Sequence, residues 1–185
     1  MKPLLLLLLL SLCGYITAHG HQDQVPVSPI TQIRAGQDQK EALKINEAIF
    51  QAIGFGNTFM VTTPAGNVII DTSIAFNSAR HKKLLEAVSA GPVKYIILTH
   101  AHGDHTGGVG AWKQPGTQII AQKNHVEFAH YMARLNGFYG VRNAAQFGNA
   151  VATRRASPAW PGNYGAVIEP AILFDDKYEF ELGGL

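Results

Sequence analysis

The sequence predicts an α/β fold, and three consecutive stretches carry that prediction. Residues 59–63 (Phe-Met-Val-Thr-Thr) and 68–72 (Val-Ile-Ile-Asp-Thr) are β-prone runs on either side of Pro64-Ala65-Gly66-Asn67, a turn composition, so they read as a hairpin. Ser78 to Ala90 reads as an amphipathic helix: Leu84, Leu85 and Val88 make its apolar stripe, Ser78 can cap it, and Gly91-Pro92 stops it. Val93 to Thr99 (Val-Lys-Tyr-Ile-Ile-Leu-Thr) is short, β-branched and apolar, as a buried strand is. Strand, helix, strand in that order is a βαβ unit, which favours a right-handed crossover within one sheet. His81, Lys82 and Lys83 are expected on the helix's polar side, with His81 solvated.

The N-terminus reads as a targeting segment. Lys2 supplies a positive start, Leu4 to Leu12 an apolar core, and Ile16-Thr17-Ala18 a cleavage site, so residues 1–18 are assigned to a signal peptide and the protein to an exported, periplasmic or secreted location. The apolar run is too short to span a bilayer. Cys13 is the only cysteine and leaves with that segment, which excludes disulfides and thiolate metal ligands from the mature chain. Residues 19–40 are polar, contain Pro26 and Pro29, and read as a flexible arm. Residues 41–185 form the predicted domain, beginning with a strand or a short helix over 42–50, of which the strand is preferred.

Beyond Gly108, Val109 to Trp112 is expected to be a short helix ended by Pro115-Gly116, and residues 117–121 (Thr-Gln-Ile-Ile-Ala) another strand. A second long helix starts at Asn124, where Glu127 three residues on resembles a capping box, and Gly137 lies just past its expected end. His125 and His130 on that helix point roughly 140° apart at about 3.6 residues per turn, so they are read as structural or surface residues rather than a chelating pair. Residues 138–170 are rich in Gly, Asn, Pro and aromatics and are expected to be a functional loop or lid, with Arg134, Arg142, Arg154 and Arg155 in or beside it as oxyanion-binding candidates. Alternation at Tyr178, Phe180 and Leu182 predicts a last strand, and Gly183-Gly184 a turn.

The chemistry is concentrated in residues 100–105, His-Ala-His-Gly-Asp-His, directly after the predicted strand 93–99. Neutral imidazoles and a carboxylate suit zinc or another borderline divalent ion, and iron or manganese accept the same donors. Residues two apart in an extended or turning backbone point the same way, so His100 and His102 can share one ion. Asp104 and His105, freed by Gly103, can turn to a second. Clustering such groups without a cation costs desolvation for no return. Gly107 and Gly108 leave room for a tight turn and a close approach. Asp71 follows Val-Ile-Ile at the polar tip of its strand.

This H-x-H-x-D-H pattern, with a strand before it and Thr106-Gly107-Gly108 after it, resembles the signature of the metallo-β-lactamase superfamily. The resemblance implies an αββα sandwich with a one- or two-metal hydrolytic site at the edge of its sheets, of which this chain holds the N-terminal part only. It further implies metal ligation by His100, His102, Asp104 and His105, orientation of the attacking hydroxide by Asp104, and support of the His loop from behind by Asp71. The family's remaining ligands lie beyond the turn at Gly183-Gly184. The chain is therefore expected to be incomplete at its C-terminus, the alternative being a degenerate member that binds metal poorly; an incomplete chain is expected to be marginally stable with an apolar face exposed.

Composition excludes other classes. With 46% hydrophobic and 15% charged residues the 185-residue chain is ordinary and globular, long enough for one domain. A net charge of +2 without aromatic-basic interleaving gives no reason to expect nucleic acid or an anionic membrane as partner. The expected partner is a small molecule. The leader, the 57–66 hairpin sequence (Asn-Thr-Phe-Met-Val-Thr-Thr-Pro-Ala-Gly) and Arg134 to Arg142 (Arg-Leu-Asn-Gly-Phe-Tyr-Gly-Val-Arg) are most similar to the exported alkylsulfatase-like branch, implying hydrolysis of a sulfate ester with an apolar tail. A β-lactamase, a lactonase or a thioesterase on the same scaffold, or a non-catalytic metal-binding protein, are the alternatives.

Overall fold

The computed structural model describes residues 29–147 and 168–185. The predicted signal peptide, the first part of the predicted arm, and Arg154 and Arg155 lie outside them. Seven strands form one mixed sheet in sequence order: β1 (Leu43–Lys44), β2 (Ile49–Ala52), β3 (Thr58–Thr63), β4 (Gly66–Ile70), β5 (Val93–Leu98), β6 (Gln118–Gln122) and β7 (Ile172–Phe174). The first four are an antiparallel meander, and β4 to β7 are parallel. The sheet is what the α/β reading requires, and the β3–β4 hairpin forms where the turn residues place it. Residues 42–50 split into β1 and the start of β2 because Asn46 Oδ1 accepts the amides of Ala48 and Ile49, closing a side-chain turn.

Between the parallel strands run α2 (Ala75–Glu86), then α3 (Gly103–Thr106) and α4 (Val109–Trp112), then α5 (Asn124–Arg134) and α6 (Asn136–Phe147). A short helix, α1 (Pro29–Ile33), precedes the sheet. The second half of the predicted arm is docked: Ile33 is buried, the Arg80 guanidinium donates to Gly36 O, and Gln39 pairs with the backbone of Gln51 and Ile53. One core joins Leu84 and Leu85 of α2 and Val109 and Trp112 of α4 to Met60, Ile69, Ile96, Leu98 and Ile119 of the sheet. A register shift at Asn67/Val68 skips Lys94, so Val93 and then Ile96 and Leu98 all turn into this core.

Five sequence expectations are corrected. The helix expected from Ser78 starts at Ala75 and ends at Glu86, so Ser78 does not cap it; its hydroxyl donates back to Ala75 O. His81 is fully buried rather than solvated, between Thr58 Oγ1 and Ile53 O. At α5 the capping box does not form, the Asn124 amide donating instead to Gln122 Oε1; the helix does end before Gly137, at Arg134, but Gly137 lies in the first turn of a further helix, α6. Hence residues 138–147 are helical rather than loop; 148–167 lie outside the described residues. Finally, 178–182 form no strand, because no described neighbour offers them a ladder of hydrogen bonds; the third parallel partner is β7, and Phe180 instead lays its ring 4.6 Å from Tyr95. The Gly183-Gly184 turn is present, both residues having positive φ. Among the described residues no helix is long and apolar enough to cross a membrane.

Candidate metal centre

Three parallel strands end side by side, and each delivers part of the site, the usual place for function in an open α/β sheet. β4 delivers Asp71, β5 delivers Thr99 and the His100–His105 loop, and β6 leads into α5. Asp71 leaves its strand with φ 53, a left-handed conformation that Asp tolerates better than most residues. Its amide still pairs with Ile97 O, so its carboxylate turns across the strand end. There Oδ1 accepts the Thr99 amide at 2.9 Å, and Oδ2 accepts both the Thr99 hydroxyl at 2.7 Å and His105 Nδ1–H at 2.6 Å.

The loop itself is stitched to the segment after β4. Thr72 donates its amide and its hydroxyl to His105 O, and the Gly108 amide reaches Ser73 O and Thr72 Oγ1. A Cβ on Gly108 would stand 2.2 Å from Thr72 O, so only glycine permits this approach. Gly56, at φ 74, passes the loop on its other side, where a Cβ would stand 1.6 Å from Asp104 O.

This framework brings the expected residues together. The His100 ring centroid is 4.8 Å from that of His102 and 4.0 Å from that of His105, and His105 Nε2 is 3.5 Å from Asp104 Oδ2. Burial alone pushes the Asp71 carboxyl up, but the His105 ring and the two Thr99 donors outweigh it and hold it below the usual carboxylate range. The Asp71 hydrogen bond raises His105. His100 is lowered, first by burial and then by His105 and His102, so its ring favours the neutral, lone-pair-bearing form a metal needs.

The donor set fits divalent metal. With Nδ1 of His105 held by Asp71, its Nε2 is the free nitrogen, and it lies 3.5 Å from Asp104 Oδ2; the His100 and His102 rings stand edge to face beside them. Among the described residues no group of three or more His, Cys, Asp or Glu is placed to hold an ion unaided, so each pair supplies two donors and not a closed set. Asp175 and Glu179 belong to ion pairs with Lys123 and Lys177.

The chain's own sequence hides two neighbours of this centre. Thr99 bonds both Asp71 and His100 Nδ1, the latter at 3.0 Å, and its one signal is a hydroxyl placed between a buried strand and the first His. Phe128 of α5 lies 5.3 Å from the His102 ring, a contact that only the docking of α5 reveals. His125 is buried on the same helix, with Nδ1 unpartnered, and is lowered by burial and then by His100. His130 stays exposed. The exclusion of His125 and His130 as a pair agrees with these different environments.

Comparison with known proteins gives the same assignment. The family model of the metallo-beta-lactamase superfamily matches residues 52–184. A linear primary-alkylsulfatase of a Pseudomonas species is 30% identical over 142 residues, covering 68% of this chain and 27% of that protein. A metal-dependent hydrolase of Rhizobium johnstonii is 32% identical over 66 residues, 35% of this chain and 28% of its own length. The chain thus spans under a third of the length of these curated relatives. Among solved structures, a HARLDQ-motif variant of the metallo-beta-lactamase from Cronobacter sakazakii superposes with a TM-score of 0.52 at 21% identity, over 78% of this chain and 51% of that one. The metallo-beta-lactamase from Pontibacter korlensis gives 0.50 at 18%, over 78% and 56%. These likenesses are of fold. On the extent of the family match and the sheet, loop and donor set described above, the chain belongs to the metallo-β-lactamase superfamily.

Proposed function

We propose that this protein is a zinc-dependent hydrolase in which His100 and His102 hold one ion and Asp104 and His105 a second, and that it acts after export on a sulfate ester carrying an apolar tail. The observation that carries the reading is the hydrogen-bonded chain His105–Asp71–Thr99–His100, which fixes two imidazoles at the carboxyl end of β5 with a carboxylate beside them. Bound ions would supply an acidified water and polarise the electrophile's oxygen. Asp104, partly exposed at the mouth of the cluster, is the group available to orient the attacking water and hold its proton. Asp71 keeps the His105 ring turned and charged-partnered but does not itself face substrate. Iron or manganese in place of zinc suit the same donors. The similarity to a linear primary-alkylsulfatase over 68% of the chain supports the sulfate-ester choice.

The test is turnover by full-length protein of a long-chain alkyl sulfate beside a β-lactam, a lactone and a thioester, with metal content measured on the same sample. Cleavage of the sulfate ester alone is expected; preference for one of the other three moves the protein to that chemistry. The lack of a three-donor group among the described residues favours one second reading, a non-catalytic metal-binding protein. Full metal occupancy with no turnover of any of the four substrates would select it. N-terminal sequencing of the exported protein tests cleavage before His19.

A further inference from the structure

α5 leaves the carboxyl end of β6 and runs beside the His loop. His125, the one residue of that helix that is buried, sits a turn before Phe128. Phe128 then meets His102 edge to face, 5.3 Å between centroids with planes at 70°. Tyr131, three residues on and so on the same side of the helix, lies 6.1 Å beyond Phe128. The pair 128–131 therefore starts against the His102 ring and continues along the exposed face of the helix.

These two rings are not core. The described core cluster includes neither of them, and Phe128 and Tyr131 remain 37% and 43% exposed. Phe128, exposed and against a proposed metal ligand, with Tyr131 next to it, borders the space open to a group attached to the reacting bond. A charged or polar head group is drawn to the imidazoles and their ions. The remainder of the molecule lies over two aromatic faces, which gain from contact with apolar chain and offer one hydroxyl, on Tyr131.

We propose that Phe128 and Tyr131 are specificity-determining residues that seat the linear apolar tail of the substrate, a proposal that rests on the sulfate-ester reading above. The occupant is an unbranched aliphatic chain, because the stripe is one ring wide and follows a single helix face. Its extent sets a limit: each methylene covered tightens binding roughly fourfold at full burial and less on a half-open face, and the gain stops once the tail outruns Tyr131.

The experiment is equilibrium binding of linear alkylsulfonates, which cannot be hydrolysed as esters, to zinc-loaded full-length protein. The series runs from ethyl to dodecyl below micellar concentration and is repeated for Phe128→Ala, Phe128→Leu and Tyr131→Ala. Affinity of the parent protein is expected to climb with chain length and then level off. Phe128→Ala should flatten the climb by at least threefold in total affinity gain, Phe128→Leu should restore part of it, and Tyr131→Ala should move the plateau to shorter chains. Should Phe128→Ala fail to fold, as circular dichroism would show, the exposed Tyr131 site carries the test. Affinity independent of chain length in the parent protein, or an unchanged climb in both alanine variants, overturns the proposal. Alkyl sulfate turnover is measured in parallel. A variant-sensitive climb without turnover upholds the seat and refutes the sulfate-ester reading; turnover without a climb does the reverse.

Discussion

His105 donates Nδ1–H to Asp71 Oδ2 at 2.6 Å across 34 residues of sequence, and that contact ties the ends of β4 and β5 into one site. The carboxylate is almost wholly buried, yet it stays ionised because His105 and two Thr99 donors satisfy it. A ligand-bearing imidazole held this way has its tautomer fixed, its ring aimed and its basicity raised.

Replacing Asp71 by Asn keeps the volume and removes the charge. His105 then loses what raises it, and its metal-facing nitrogen becomes a weaker donor. Zinc affinity, measured by chelator competition, is expected to fall about 10- to 100-fold. An Asp71→Asn protein that binds zinc as tightly as the parent would show that Asp71 only closes the strand end.

How much of this was legible beforehand differs by the range of the interaction. The β3–β4 hairpin, β5 and β6 are local: turn residues and β-branched runs state them directly, and the His cluster is six consecutive residues. Asp71 was legible as a polar strand tip, but its partners are 28 and 34 residues away, and only the resemblance pointed to them. His81 was misread because its helix carries Lys82 and Lys83 next to it, while what buries it, Thr58 and Ile53, comes from another part of the sheet. α6 was misread as a loop because its Gly and Asn residues have poor helix propensity; contacts outside the helix override this, among them Phe147 packed 5.5 Å from Phe55.

His81 gives a pH prediction with a defined sign. Its Nε2 lies 3.1 Å from the Arg80 guanidinium and 3.2 Å from Ile53 O, and its Nδ1 is 2.9 Å from Thr58 Oγ1, with both nitrogens in polar contact in the interior. Burial, then Arg80, push its pKa from 6.5 down to about 4. The unfolded chain thus takes up a proton near 6.5 that the folded chain refuses until about 4. This contribution to stability is complete above 6.5 and is lost as pH falls through that window. At 1.36 kcal/mol per unit it amounts to roughly 3 kcal/mol. Denaturant melts at pH 7.5 and pH 4.5 should show the loss in the parent and a much smaller one in His81→Gln measured against its own pH 7.5 value. Equal acid sensitivity in both assigns the effect elsewhere.

Two glycines separate strain from mere presence. At Gly56 a Cβ meets Asp104 O at 1.6 Å and the backbone is left-handed; at Gly110, in α4, nothing lies within 4 Å. Gly56→Ala should cost about 2–4 kcal/mol, from backbone strain plus overpacking, and weaken metal binding through the displaced Asp104. Gly110→Ala should be neutral or stabilise by about 0.5–1 kcal/mol. Urea midpoints of the two variants decide it, and similar values for both would contradict the placement of Gly56.

Thr99 completes the chain, and its single hydroxyl proton decides the state of His100. Ionised Asp71 can only accept, so at 2.7 Å the proton points to Oδ2. The 3.0 Å contact on the other side is then His100 Nδ1–H donating to Oγ1, which leaves Nε2 as the nitrogen with a free lone pair. Thr99→Val preserves shape and the backbone amide to Asp71 but deletes this acceptor; Thr99→Ser keeps it. The valine variant is expected to bind zinc about tenfold more weakly, and nitrogen NMR of its metal-free form should show His100 populating both tautomers. The serine variant should match the parent in both measurements. If valine leaves tautomer and affinity untouched, the hydroxyl is a passenger and the orientation of His100 comes from its ring contacts with His102 and His105 alone.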